Sequence, residues 1–340
     1  LAQLNPKVGD LPGNLALAKK ALGDAVAAKA DILMFSELFL TGYFPDDLLF
    51  KPQFVTDAIA SAQTLVAETA GTDVVLVLPT IWKAATGLHN AVLVAEKGKI
   101  SALRFKRELP NDDVFYEKRY FAAGPLPLPV TIKGVSVGIP ICEDIWHPWV
   151  CEHLVREGAE ILLCPNGSPY WTNKQHIRKE LVRKHAVEHD VPLIYLNQVG
   201  GQDELVFDGA SFAIAPGDKL VLQGKSFETD FLVSDWRRDG DTWTSDNGRI
   251  EELTSIEEAP WRAAVLGLRD YVFKNGFSHV VLGLSGGIDS AVVAAMAVDA
   301  FGPEKVHCIM LPYRYTSEES LTDAKDCAAR LGVRQAFLGG

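Results

Sequence analysis

Cys142 closes the apolar run Val135-Ser-Val-Gly-Ile-Pro-Ile-Cys142 and is followed by Glu143, Asp144, Ile145 and Trp146, which places a thiol at a sheet edge where a reactive group meets a cleft. Glu37 likewise follows a buried strand, in Leu33-Met-Phe-Ser-Glu37-Leu-Phe-Leu-Thr-Gly-Tyr-Phe-Pro, and Lys106 lies in Arg104-Phe-Lys106-Arg-Glu-Leu-Pro-Asn. Taken singly, each has an ordinary reading. A cysteine in a buried strand is usually a core residue, a strand-end glutamate is a solvated side chain or a helix cap, and a lysine in a polar stretch is surface. Taken together they can break an amide. A thiol with a pKa of ~8.5 is mostly protonated at neutral pH, and a neighbouring base or cation raises its thiolate fraction. Glutamate can take the thiol proton, lysine can stabilise the oxyanion formed by attack on an amide carbon, and the glutamate can return the proton to the leaving nitrogen before activating water. Ammonia and a carboxylate result.

A second set of residues is suited to phosphate. Gly283-Leu-Ser285-Gly286-Gly287-Ile-Asp289-Ser290 lies between a buried strand and a helical run. Glycines let backbone N–H groups approach phosphate, Ser285 and Ser290 can donate hydrogen bonds, and a helix N-terminus favours negative charge. A Gly-Gly turn alone is a weak signal; the complete SGGIDS string is strong. Asp289 is the candidate Mg²⁺ ligand, because a hard cation prefers carboxylate and phosphate oxygens. Its plain alternative is a helix cap.

The elements that must position these groups are short strands interleaved with helices. Apolar residues at Leu15, Ala18, Leu22 and Val26 predict an amphipathic helix over 14–30 with Asn14 as N-cap. Strands are expected at 32–35, 74–79, 91–95, 135–142, 161–164, 193–197 and 211–215, giving an α/β layered domain. The chain turns polar and irregular between 230 and 252, which predicts a linker at 231–255. Helical periodicity then runs from about Ile256 to Lys274, followed by a strand at 280–284 and another helix from Asp289. No internal repeat or low-complexity tract is present, so a solenoid has little support.

Composition narrows the class. At 340 residues, 48% hydrophobic and 23% charged, the chain is globular and long enough for two domains. A net charge of −11 disfavours nucleic acid and anionic membranes as partners. Cys142, Cys151, Cys164, Cys308 and Cys327 are an odd, scattered set, as expected of free thiols in the cytoplasm. No apolar run approaches the ~18 residues of a membrane span, and no signal region opens the chain. The start at Leu1 rather than Met predicts that residues precede it.

Glu37, Lys106 and Cys142 resemble the Glu-Lys-Cys triad of the nitrilase superfamily. Leu109-Pro110-Asn111, Val114-Phe115, Glu117-Lys118-Arg119-Tyr120-Phe121 and Asn166-Gly167-Ser168-Pro169-Tyr170 are similar to the glutaminase half of the glutamine-dependent NAD⁺ synthetases. That resemblance implies a nitrilase-like α-β-β-α sandwich in which Ser168 and Lys174 help to bind glutamine, Glu143 lies beside the nucleophile, and Glu117 supports the lysine. One departure is visible: where the family commonly has tyrosine after Leu-Pro-Asn, this chain has Asp112, which either meets the substrate's α-ammonium or points away. Gly200-Gly-Gln-Asp-Glu204-Leu-Val-Phe-Asp208-Gly also resembles this family, and its acidic residues are given no catalytic role.

SGGIDS resembles the PP-loop of ATP pyrophosphatases, which release pyrophosphate and leave AMP on the substrate; the Gly-Lys-Ser/Thr ending of a Walker loop is missing. It implies a doubly wound parallel-sheet domain binding ATP through Gly283, Ser285, Gly286, Gly287, Asp289 and Ser290. Residues 311–317 look like the mobile loop after the second strand of that domain, where Arg314 meets phosphate or is simply exposed. PP-loops in GMP and asparagine synthetases accompany different glutaminases, so the fusion to a nitrilase-type amidase discriminates. It implies an ATP-dependent carbon–nitrogen ligase using Mg²⁺, with glutamine and deamido-NAD⁺ as substrates, expected as a homo-oligomer. The expected boundaries are 1–230 for the glutaminase, 231–255 for the linker and 256–340 for the beginning of the synthetase domain. That last part is shorter than the roughly 100 to 150 residues of a typical domain, so a chain of this length is expected to keep glutaminase chemistry and lose amidation. The rivals are a free-standing amidase, which leaves SGGIDS unexplained, and a nucleotide-binding regulator with both sites inactive.

Overall fold

The computed structural model describes residues 1–112 and 114–337; Asp113 and residues 338–340, the end of the expected second domain, lie outside the described residues. Two compact units are formed. The first comprises Leu1–Gly200 with Phe207–Thr254, and the second Gly201–Val206 with the chain from Ser255 onward.

In the first unit one sheet pairs Ile32–Met34, Val75–Ala84, Gly87–Glu96 and Lys99–Phe105 in that order. The other has the order Lys219–Gln223, Phe212–Ala215, Leu193–Asn197, Ile161–Asn166, Val135–Gly138, Val130–Ile132. Successive strand residues point to opposite faces, and both faces are used. Met34, Val75, Val77, Val92 and Val94 pack against Val137, Ile161, Leu163, Ile194 and Leu196 between the sheets. Leu33, Leu76, Leu78 and Leu93 bury outward with helices α1 (Leu11–Ala27) and α2 (Pro52–Glu68). Leu162, Cys164, Leu193, Tyr195 and Phe212 do so with α3 (Pro148–Arg156) and α4 (Lys174–His189). Strands buried on both faces read as continuous apolar runs, which is why the sequence reveals them. The layering is the expected α-β-β-α sandwich.

Helix α1 starts earlier than its periodicity suggests. Asp10 is the N-cap, accepting from the Gly13 N–H at 3.0 Å, and Pro12 is tolerated in the first turn, where its missing N–H costs nothing. Asn14 is instead buried within the helix. Its amide donates to the Lys7 and Leu40 carbonyls at 2.8 and 2.9 Å and accepts from the Lys7 N–H at 2.9 Å.

The segment expected as a linker is folded into the first unit as far as Thr254. Asp230–Phe231 pairs with Ala2–Gln3, Arg237–Asp239 forms a hairpin with Thr242–Thr244, and Gln223 exchanges backbone hydrogen bonds with Arg249 and Glu251. The polar Gly240 stretch is a hairpin turn, and Trp236 and Trp243 flanking it pack on the core between the sheets.

In the second unit, α5 (Ala259–Lys274) precedes three parallel strands, Val280–Gly283, Val306–Met310 and Arg334–Phe337, in consecutive order, connected through α6 (Ile288–Phe301) and α7 (Glu318–Leu331). Leu284, Ala294, Ala297, Phe301, Val306, Cys308, Met310, Ala324 and Ala328 form its core. All five cysteines are free thiols. Among the described residues, no helix is long and apolar enough to cross a membrane.

Candidate active site

Glu37, Lys106 and Cys142 lie at strand ends of the first unit. Glu37 lies just past Ile32–Met34, and its N–H donates to the carbonyl of Asn166 at the end of Ile161–Asn166. Lys106 follows Lys99–Phe105, with its N–H on the Asn90 carbonyl at 2.9 Å. Cys142 opens a 3₁₀ turn, Cys142–Trp146, with φ of +44°. A non-glycine residue in that left-handed region is uncommon and concentrates at functional turns.

The Lys106 ammonium donates to Glu37 Oε1 and to Glu117 Oε1, both at 2.7 Å, and all three side chains are fully buried. Asn90 Nδ2 donates to Glu37 Oε1 at 2.8 Å and to Glu117 Oε2 at 3.5 Å. The Gly167 N–H donates to Glu37 Oε2 at 3.0 Å, and the Tyr43 hydroxyl to Glu117 Oε1 at 3.0 Å. Glycine is required at 167, because a Cβ there would lie 2.7 Å from the Tyr43 ring.

Burial pushes the Glu117 carboxyl up to about 7 despite the adjacent Lys106. Burial alone would lower the Lys106 ammonium, but Glu117 and Glu37 outweigh it and hold it well above the usual lysine range. Burial, then the charge of Glu37, pushes the Cys142 thiol well above its ordinary value. The two directions favour a neutral thiol at Cys142 and a charged ammonium at Lys106. A base beside a thiol held toward its neutral form can take the proton as the sulfur attacks.

Asp144 ties the parts together. Its Oδ2 accepts from the Ile141 N–H at 2.9 Å, while Oδ1 accepts from Glu108 and Arg107 N–H groups at 2.8 and 3.1 Å. One buried carboxylate thus joins the segment after Lys106 to the residue before Cys142; burial pushes it up to about 6 against these donors. In Asp144→Asn an amide NH₂ replaces one acceptor and faces an N–H. Urea unfolding should show a loss of ~1–3 kcal/mol, and iodoacetamide should alkylate Cys142 ~10-fold or more slowly as the turn shifts. Unchanged stability and alkylation would show that Asp144 does not hold the turn.

Next to this cluster lie groups matched to a zwitterion. Lys174 opens α4 after Asn173, which has φ of +67°. Its ammonium sits 3.1 Å from the Trp171 ring centroid and 4.9 Å from that of Trp146, and burial followed by Arg178 lowers it to about 8. Ser168 is buried. Glu143 lies 3.5 Å from His147 Nε2, and burial pushes its carboxyl up, with Asp112 and Glu37 adding to the rise. Asp112 is exposed but within electrostatic reach of Glu143. A cation and a hydroxyl complement a carboxylate; two carboxylates complement an ammonium.

The structure adds Asn90, Tyr43, Asp144 and Arg178 to the residues named from sequence. Asn90 is the one with a sequence signal, a polar residue at the head of the apolar run Asn90-Ala-Val-Leu-Val-Ala.

The phosphate-loop residues lie in the second unit. Gly283 ends its strand, and the Ser285 N–H donates to Ser290 Oγ at 3.2 Å. The two serine hydroxyls are 3.1 Å apart, Ser290 Oγ donates to the Gly287 carbonyl at 2.9 Å, and the Gly287 N–H reaches Ser285 Oγ at 3.4 Å. Gly286 has φ of +85°, and a Cβ there would lie 2.3 Å from the Ser320 carbonyl oxygen on α7. Gly286→Ala is therefore expected to open the loop, with left-handed strain of ~1–2 kcal/mol added to the clash. Thermal unfolding checks this, and wild-type stability would contradict it. Asp289 is exposed in the first turn of α6. Among the described residues no cluster of three or more His, Cys, Asp or Glu could hold a metal. Asp289 fits Mg²⁺ only as a single carboxylate completed by phosphate oxygens and water, a usual Mg²⁺ arrangement. Arg314 stacks its guanidinium over Tyr315 and Tyr313.

Residues 1–240 match the carbon-nitrogen hydrolase family, and residues 260–338 match NAD synthase. A glutamine-dependent NAD(+) synthetase of Rhodobacter capsulatus is 46% identical over 98% of this chain and 60% of its own length. The solved glutamine-dependent NAD+ synthetase of Acinetobacter baumannii, in complex with ADP, superposes with a TM-score of 0.92 at 34% identity, over 100% of this chain and 64% of that one. A carbon-nitrogen hydrolase from Helicobacter pylori shares the fold over 67% of this chain and 85% of its own, with a TM-score of 0.58 at 23% identity. The chain thus spans less than two thirds of the synthetases it matches. It belongs to the carbon-nitrogen hydrolase family, followed by a segment of the NAD synthase family.

Proposed function

We propose that this chain hydrolyses glutamine at Glu37, Lys106 and Cys142 and belongs to a glutamine-dependent NAD⁺ synthetase, in which the ammonia amidates deamido-NAD⁺. The observation that carries the reading is the fully buried Glu37–Lys106–Glu117 cluster with a left-handed cysteine turn in electrostatic contact with it. Ser168 and Lys174 receive the α-carboxylate of glutamine, and Glu143 with Asp112 its α-ammonium. Glu37 takes the thiol proton as Cys142 Sγ attacks the amide carbon, and Lys106 stabilises the oxyanion. Collapse breaks the C–N bond, Glu37 gives its proton to the leaving nitrogen, and a glutamyl thioester and ammonia remain. Glu37 then deprotonates water, which attacks the thioester; glutamate leaves and the proton returns to sulfur.

In the second unit, the Ser285–Ser290 loop grips the phosphates of ATP, and Asp289 contributes to holding Mg²⁺, which neutralises phosphate charge when bound. The nicotinate carboxylate attacks the α-phosphorus and pyrophosphate departs. Ammonia then attacks the acyl-adenylate, yielding NAD⁺, AMP and a proton.

The test is incubation of the full-length synthetase that contains this chain with Mg-ATP, deamido-NAD⁺ and amide-¹⁵N glutamine, with and without Cys142→Ala. Labelled NAD⁺ and AMP from wild type, absent from the variant and rescued by free ammonia, support both halves. Glutamate without NAD⁺ keeps the glutaminase and removes the synthetase reading; neither product removes both.

A further inference from the structure

We propose that Arg178, anchored by Asp208, is a positioning residue for the substrate end of the glutaminase site, holding Ser168 where it meets the α-carboxylate of the amino-acid substrate. The proposal rests on the glutaminase reading above.

Arg178 lies one turn beyond Lys174 on α4 and is fully buried. Its fork is spent on the Ser168–Pro169 loop, the Asp208 carboxylate and the Gln175 side chain. Nε donates to Ser168 Oγ at 3.2 Å, and Nη2 donates to the carbonyls of Ser168 and Pro169 at 2.7 and 2.9 Å. Nη1 donates to both Asp208 oxygens, at 2.7 and 2.8 Å, and to Gln175 Oε1 at 3.2 Å. Asn197 holds Ser168 as well, accepting from its N–H at 2.9 Å and donating to its carbonyl at 3.0 Å. The N–H, carbonyl and hydroxyl oxygen of Ser168 are therefore all fixed.

A core ion pair placed for stability alone has no need of this arrangement, because buried pairs are often no better than apolar packing. What the fork does achieve is orientation. Nε–H occupies one lone pair of Ser168 Oγ, and the Tyr195 phenol also interacts with that hydroxyl, so its direction is set from two sides. Asp208 supplies the charge that lets a guanidinium remain buried at Ser168. Asn166 fixes the start of the same loop independently, donating to the Cys164 and Leu196 carbonyls at 2.8 and 3.1 Å. Gly167, which serves Glu37, is thus held from its other side, and Arg178 acts on the substrate's carboxylate more than on the reacting thiol.

Cys142 alkylation by two reagents separates these roles. Iodoacetamide is small and neutral; the diazoketone analogue of glutamine, 6-diazo-5-oxo-L-norleucine, must first be recognised as an amino acid. In the intact chain, Asp208→Asn and Arg178→Lys should slow the diazoketone at least ~10-fold, the scale of a misplaced substrate group, and leave iodoacetamide within about threefold. Combining Asp208→Asn with Ser168→Ala should add little to Ser168→Ala alone, since both act through one hydroxyl. Equal slowing of both reagents, or of neither, overturns the proposal. Arg178→Lys carries the comparison should Asp208→Asn unfold. If the wild-type chain reacts with iodoacetamide but not with the diazoketone, the glutaminase reading itself has failed; if wild type takes both reagents and the variants match it, only the role of Arg178 has.

Discussion

Cys142→Ala is expected to abolish glutamine hydrolysis, by ~10⁴-fold or more, while the chain remains folded. Losing one sulfur from a buried side chain leaves a cavity smaller than a methylene pair, worth ~1 kcal/mol. No other thiol can substitute. Cys164 and Cys151, the other thiols of the first unit, are buried outward from the sheet with α3 and α4. Glutamate release and circular dichroism on the same sample check both parts. A residual rate within tenfold of wild type would mean that the thiol is a core residue and that water attacks glutamine directly.

Lys106→Met is expected to be the most destabilising single change at the site, by ~3–5 kcal/mol near neutral pH. It leaves Glu37 and Glu117 fully buried around a vanished ammonium, and two carboxylates cannot both stay charged there. The pH dependence follows from that. Each carboxyl is raised in the folded variant above its unfolded value, so the folded chain binds protons that the unfolded chain has released. Stability is then fully present below the unfolded carboxylate pKa of about 4.3 and falls as pH rises toward the folded values. The deficit relative to wild type should be smaller at pH 5 than at pH 8. Glu117 in the wild type, already pushed up to about 7, contributes the same sign more weakly. Adding Glu117→Gln should restore part of the stability without restoring activity, because the oxyanion donor is still absent, a loss of ~10²–10³ in rate. Urea unfolding across this pH range is the measurement, and a deficit independent of pH would contradict the account.

The sequence makes Glu37 and Cys142 legible because each follows an apolar run short enough to be a strand, and strand ends are where a sandwich exposes side chains to a cleft. Glu117 is reached only through the resemblance. Its own surroundings, Glu117-Lys118-Arg119, read as a charged surface, and nothing local shows that it turns inward to meet Lys106. Arg178 is hidden in the same way, one of several cations in Lys174-Gln-His-Ile-Arg-Lys-Glu-Leu-Val-Arg-Lys-His. Burial there depends on Asp208, thirty positions away. The misread linker has a related cause. Polar turn residues dominate 237–248, and the two tryptophans that bind the hairpin to the core are too widely spaced to give a periodic signal. Asn14 was expected to cap α1 because caps are usually polar and helices usually begin at their first apolar repeat; Pro12 extends the helix back to Asp10.

The most direct test of the central claim is to quench the chain in acid during glutamine turnover and weigh its Cys142 peptide. A glutamyl thioester on Cys142, formed before steady-state glutamate release and lost on incubation with water, is the predicted result. Glutamate formed at the same rate with no adduct on Cys142, and persisting in Cys142→Ala, would contradict it.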